Sequence, residues 1–324
     1  MVAKRILSGF DPLVRLLLVA IMLASLVPVT GEGRVIARMV SDSAIFLLFL
    51  LNGLRLPRRE VLAGIGNWRF LLPLLLWCFI GMGAVGWGLA WLGGGFLPPQ
   101  VALGLLFLGI LPSTVQSATA YASIGGGNVA ASVVAAAVIN VTGVFVTAPL
   151  LALLAGTGAV DIDLDGLQRI ALILLLPFFI GQLAQGFAGE WVRGHRPLVS
   201  WADRISIAIA VYVAFSGAVE QGLWTLVGLL QWAILLALVG VFLAIGFGGS
   251  WLLGGAIGLP RPDRISFLFS GAQKSIALGA PLASVLFPPA VAGLLLLPVL
   301  VYHLLQLILS APIANRLSRD PARH

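Results

Sequence analysis

The sequence predicts an all-α polytopic membrane protein in which ten transmembrane helices form a 5+5 inverted repeat. Three observations predict this fold class. The composition is too apolar for a soluble domain, ten apolar segments have the length of a membrane span, and the two halves of the chain share polar and proline positions in the same order.

The composition places the chain in a lipid bilayer. Of its 324 residues, 60% are apolar and 10% are charged, and the mean hydropathy is +1.08. A soluble domain needs far more charged residues on its surface. The single cysteine, Cys78, excludes an internal disulfide and a cysteine-based metal site. The net charge of +7 is spread over short loops, so we expect no nucleic-acid partner.

Polar or Gly/Pro-rich breaks separate ten apolar segments. Most are about 20 residues or longer, the length that crosses about 30 Å of hydrocarbon. Numbered one to ten, they are predicted at about 12–30, 36–54, 69–93, 100–124, 129–154, 166–188, 203–222, 231–258, 263–287 and 289–313. The first is not read as a signal peptide, because it has no convincing small-residue cleavage site.

The basic residues orient these segments. With the N-terminus inside, fifteen of the 19 Lys and Arg residues fall at inner loops and segment ends, and only Arg34, Arg38 and Arg169 fall outside. Inner loops of membrane proteins carry the excess of positive charge. We therefore expect a multi-pass protein of the cell membrane with both termini in the cytoplasm. The remaining basic residue, Lys274, lies inside segment nine.

The halves of the chain match in register. Segments five and ten end with Ala-Pro at 148–149 and 311–312, and Asn140 and His303 stand at the same distance before each pair. Five segments per repeat is an odd number, so the second repeat has the opposite topology. The predicted repeats are 1–158 and 159–324, and inverted repeats are an architecture of transporters.

Segments four and nine are predicted to be interrupted near their middles. Segment four contains LPSTVQS at 111–117, and segment nine contains FSGAQKS at 269–275, followed by Gly279 and Pro281. Proline removes a backbone donor, and small polar side chains satisfy the freed carbonyls. A paired break of this kind predicts a substrate or ion site, whereas packed proline kinks are the alternative. The candidate residues are Asn52, Ser113, Thr114, Gln116, Ser117, Ser132, Asn140, Ser270, Gln273, Lys274, Ser275 and His303.

Lys274 is the strongest single candidate. A charge at bilayer depth costs about 2.5–3.5 kcal/mol on insertion scales, so such a residue is functional by default. Three roles stay open at this point. Its ammonium replaces a coupling ion among oxygen ligands such as Ser117, Ser132 and Gln273, or it carries a proton because burial favours the neutral amine, or it is a strut bound to backbone carbonyls. In the proton version, His303 is a candidate partner.

Four runs of sequence resemble one family. They are LPSTVQS at 111–117, GGNVAA at 126–131, GAQKSIALGAP at 271–281 and YHLLQ at 302–306. They resemble the bile acid:sodium symporter superfamily, more narrowly its SBF-like branch, which includes bacterial proteins and the seventh vertebrate bile-acid carrier. The resemblance covers nearly the whole chain.

The resemblance implies a fold and an activity. The implied fold has a core domain of helices three to five and eight to ten, in which the broken helices four and nine cross, and a panel domain of helices one, two, six and seven. The implied activity is alternating-access transport of small organic anions between these domains, here in a bacterial inner membrane.

The chain departs from the sodium-coupled members of that superfamily. Those members have a glutamate where this chain has Phe269 and an asparagine where it has Lys274. Of the polar ligands that the resemblance implies, only Ser117, Ser132 and Gln273 remain as candidate sodium ligands. Two-sodium coupling is therefore doubtful, and Na⁺ and H⁺ both stay open as coupling ions.

Other classes of protein fit less well. The sequence has no HExxH motif and no acidic residue near mid-membrane, so we expect neither an enzyme nor a cofactor. A channel would need a filter or charged rings. An uncoupled facilitator and a non-transporting receptor or regulator stay open. The expected partners are a small organic anion and the lipid bilayer, and we expect a monomer or weak dimer.

Overall fold

A computed structural model describes residues 11–55, 67–155, 168 and 171–319. Every longer element in this part of the chain is a helix. We number them α1 Pro12–Leu26, α2 Gly33–Arg55, α3 Trp68–Gly93, α4 Pro99–Ile110, α5 Gln116–Ile124, α6 Val129–Ala155, α7 Ala171–Gly194, α8 Arg196–Glu220, α9 Leu223–Leu226, α10 Leu229–Ala256, α11 Arg261–Ala272, α12 Ile276–Leu286 and α13 Pro289–Arg319. Arg169 and the repeat boundary predicted at 158/159 lie outside the described residues.

These helices overlap the ten predicted segments. Seven of the described helices are long and apolar enough to cross a bilayer, and α1 and α4 are shorter apolar helices. The protein is therefore a multi-pass membrane protein, and the described part of its chain is helical. The inverted repeat itself stays a prediction.

Both predicted interruptions are confirmed. In segment four the chain leaves the helix after Ile110 and returns to it at Gln116, and Leu111 between them is extended. In segment nine it leaves after Ala272 and returns at Ile276, and Gln273 is extended. Each interruption exposes the carbonyls of one helix end and the amides of the next helix start.

The predicted start of segment seven was wrong. The helix α8 begins at Arg196 rather than near 203. Asp203 and Arg204 lie inside α8 and do not interrupt it. Asp203 forms an ion pair with Arg55, and the Arg204 guanidinium lies 5.7 Å from the centre of the Trp201 ring.

The chain divides into two compact units. The described residues of the first lie within Met1–Leu56, Ile162–Leu226 and Ala280–Leu296. In this unit α7 packs along α2, and α8 packs against α1 and α2. The closest approach is at Gly53, where a Cβ atom would overlap the carbonyl oxygen of Phe178 on α7. Arg34 and Glu220, 2.5 Å apart, also join α2 to α8.

The described residues of the second unit lie within Pro57–Asp161, Val227–Gly279 and Leu297–His324. In this unit α3 packs against α4. The helix α11 packs against three others, α5, α6 and α10. The run at 81–86 matches the nucleotide-binding pattern GxGxxG, but it lies inside α3, where a Cβ on Gly86 would come within 2.6 Å of the Leu105 carbonyl oxygen. These glycines therefore serve close helix packing.

Candidate functional site

Lys274 lies in the interruption between α11 and α12, with its side chain inside the second unit. It is 1% exposed. Its Nζ atom donates three hydrogen bonds of 2.8 Å each, to the carbonyl oxygens of Cys78, Gly109 and Leu111. We call these three oxygens the carbonyl cage. Among the described residues, no carboxylate lies within salt-bridge distance of Nζ.

The cage exists because two helices deviate from regular geometry. The helix α4 ends at Ile110, so the carbonyls of its last turn lack helical amide partners. Around Cys78, α3 makes one π-helical turn, Trp77–Gly81. There the Met82 amide donates to the carbonyl of Trp77, five residues earlier, and not to that of Cys78, four residues earlier. The carbonyl end of a helix carries partial negative charge. A cation is therefore favoured where these oxygens converge.

A row of side chains on α13 holds the interruption of segment nine in place. Gln306 accepts from the Lys274 amide at 2.8 Å and donates to the Lys274 carbonyl at 3.0 Å. Tyr302 donates its hydroxyl to the Ala272 carbonyl at 2.5 Å, and Ser310 bonds Gln273 Nε2 at 3.0 Å. We call Tyr302, Gln306 and Ser310 the α13 row. Spaced by four residues, they share one helix face.

The two interruptions are also bonded directly to each other. The Ser275 amide donates to the Pro112 carbonyl at 2.9 Å. Asn140 on α6 donates to the Ser113 carbonyl at 3.0 Å, so a third helix supports the same place. The backbone groups freed by both breaks are in this way bonded within the protein, as a membrane interior requires.

A cluster of oxygen atoms lies beside Lys274. Gln273 Oε1 accepts from the Thr114 hydroxyl at 2.5 Å and lies 2.6 Å from the Ser117 hydroxyl. The Thr114 and Ser117 hydroxyl oxygens are 2.7 Å apart. Three of the predicted candidates are thus brought together. We call Thr114, Ser117 and Gln273 the oxygen cluster.

Other candidates have separate places. The buried Ser132 hydroxyl lies 3.3 Å from that of Thr119, and His303 Nδ1 lies 2.9 Å from Gln306 Nε2. The Ser275 hydroxyl accepts from the Leu278 amide at the start of α12, and the Ser113 hydroxyl lies 3.5 Å from the Thr114 carbonyl. Three candidates remain. The buried Ser270 hydroxyl has no hydrogen-bond partner among the described residues, and the Gln116 side chain is exposed. Asn52 is half-buried and belongs to the first unit.

The position at which the resemblance implies a glutamate in sodium-coupled members is apolar here. Phe269 is fully buried, with its ring centre 6.0 Å from that of Tyr121 and 6.4 Å from that of Phe247. At the position where the resemblance implies an asparagine in those members, this chain has Lys274 with its ammonium group. Among the described residues, no three His, Cys, Asp or Glu side chains form a metal-binding group. An aromatic ring and a fixed positive charge do not fit a pair of bound sodium ions.

Sequence reasoning missed most of the partners of Lys274. The α13 row had a signal, because its three polar residues recur every fourth position in an apolar segment. The carbonyl cage had none, because backbone oxygens leave no trace in the sequence. Cys78 was considered only for a disulfide or a metal site, although its main-chain carbonyl binds the ammonium.

Long apolar helices, two interrupted helices bonded at their breaks and a buried charge beside polar side chains define a membrane protein of the transporter class. The SBF-like CPA transporter family matches residues 11–319. The chain belongs to this family.

Curated relatives agree with that assignment. The chain is 37% identical to an uncharacterized protein of Pseudomonas aeruginosa, over 94% of this chain and 91% of that one. It is 36% identical to a protein of Escherichia coli named "Putative symporter YfeH", over 96% and 93% of the two chains. It is 23% identical to sodium/bile acid cotransporter 7 of Rattus norvegicus, over 84% and 81%.

Proposed function

We propose that this protein is a secondary transporter that moves a small organic anion by alternating access and does not use two-sodium coupling. The observation that carries the proposal is the pair of helix interruptions joined by the bond from Ser275 to Pro112, with the oxygen cluster beside them. Interrupted helices at mid-membrane are where transporters bind their cargo. Family membership and the names of the relatives support the same class.

The charge at the interruptions favours an anionic cargo. Lys274 has no carboxylate partner among the described residues, so only the partial charges of the carbonyl cage oppose its positive charge there. The amino-terminal ends of α5 and α12, which carry partial positive charge, begin at the same two breaks. The ammonium itself is fully hydrogen bonded, so it acts on an anion through its field and not by contact. A small carboxylate fits this environment.

The proposed setting is the bacterial inner membrane, with both termini in the cytoplasm and the protein a monomer or weak dimer. Three alternatives make different predictions. A proton-coupled carrier responds to a pH gradient, an uncoupled facilitator only equilibrates its cargo, and a receptor or regulator binds a ligand without moving it.

We expect saturable exchange of a labelled carboxylate by the purified protein in proteoliposomes. The carboxylate is first chosen by a thermal-stability screen of organic anions, because a ligand of the folded state raises the melting temperature by mass action. The Gln273→Leu variant should lose exchange, because it opens the oxygen cluster. The same replacement at the exposed residue Gln221 should leave exchange intact.

Two outcomes contradict the proposal. Stabilisation by an anion without any exchange identifies a receptor or regulator. Single-channel currents carried by the anion identify a channel.

A further inference from the structure

The three hydrogen bonds around Lys274 match the three donors of a protonated amine. A protonated amine has three N–H groups, and each of the three cage oxygens receives one of them at 2.8 Å. A neutral amine has two N–H groups, so one buried carbonyl would face its lone pair. A buried acceptor without a donor destabilises the folded protein. The geometry therefore suits a permanent cation and not a group that releases its proton in each transport cycle.

The cage also has the chemistry of a site for a free cation. Its oxygens are all main-chain carbonyls, the ligands that potassium channels use to replace the hydration shell of an ion. Two of them, from Gly109 and Leu111, lie at the negative end of α4. The distance of 2.8 Å suits an ammonium ion, or a potassium ion of similar size, better than the smaller sodium ion.

We propose that the carbonyl cage is a monovalent-cation site whose cation is a side chain of the protein itself, so that removing the Lys274 side chain opens the site to free ammonium or potassium. The consequence of this inference rests on the proposed function: a carrier with this site needs no external cation there. The test measures the melting temperature and not transport, so a failure of this inference can be told apart from a failure of the proposed transport function.

The experiment compares Lys274→Ala with Lys274→Met. Alanine leaves both the oxygens and the space, whereas methionine leaves the oxygens and fills the space. Each variant and the unaltered protein are extracted and melted in ammonium, potassium, sodium and choline chlorides of equal ionic strength. We expect the alanine variant to melt several degrees below the unaltered protein in choline and to recover most of that loss in ammonium or potassium. Recovery follows from binding to the folded state.

The controls give the contrary outcomes. The methionine variant should stay destabilised in all four salts, and the unaltered protein should melt at one temperature in all four. An alanine variant that aggregates in every salt, or one that melts at the same temperature in every salt, overturns the proposal. So does equal stabilisation of all three proteins by ammonium, which would be a general salt effect.

Discussion

A Gln306→Leu variant is expected to be severely destabilised and to lose transport. Gln306 is fully buried, and its amide satisfies both the N–H and the carbonyl of Lys274. Leucine has a similar size but no polar atoms, so both backbone groups lose their partner. Each buried group left without a hydrogen bond costs about 1–3 kcal/mol. The fluorescence melting curve of the purified protein, which has nine tryptophans, measures the loss.

The matched control is again Gln221→Leu. Gln221 lies at the exposed end of α8, so the same change of side chain should leave the melting temperature nearly unchanged. If the two variants melt at the same temperature, the α13 row does not hold the interruption of segment nine.

A Gly86→Ala variant is expected to force α3 away from α4. The added Cβ would lie 2.6 Å from the Leu105 carbonyl oxygen and 3.0 Å from Gly109 Cα, both main-chain atoms that no rotamer change can move. Overpacking of this kind costs about 1–3 kcal/mol. Because Cys78 on α3 and Gly109 on α4 both bind Lys274, the shift also deforms the carbonyl cage. Melting temperature and anion exchange should fall together.

The control is on the same helix. A Cβ on Gly88 meets nothing within 4 Å, so Gly88→Ala should leave stability and exchange unchanged or slightly improved, because alanine favours helix more than glycine does. Equal loss in both variants would mean that glycine is needed in α3 for a reason other than its contact with α4.

The sequence predicts the positions of the helices and of both interruptions well, because apolar length and proline are local signals. Pro112 and the polar run before Ile276 were enough to locate the breaks. Lys274 was identified in the sequence only because a charged side chain at bilayer depth costs free energy. Its contacts required coordinates, because the sequence does not show which atoms surround the nitrogen.

Two other features show where local signals fail. Charged residues predicted a later start for α8, but pairing of Asp203 with Arg55 lets that helix begin at Arg196. The π-helical turn at Trp77–Gly81 has no proline or polar residue to predict it, yet it helps to form the carbonyl cage. The ion pair joins residues that lie far apart in the chain, so the sequence around Arg196 does not show it.

Our proposal that Lys274 takes the place of a coupling cation implies that transport of the anion needs no sodium. It is tested most directly by initial uptake of the identified anion into proteoliposomes, in sodium and in choline buffers, with and without an inward sodium gradient. We expect equal rates in the two buffers and no accumulation of the anion driven by the gradient. Uptake that requires sodium, with accumulation above equilibrium when the sodium gradient is imposed, would contradict it.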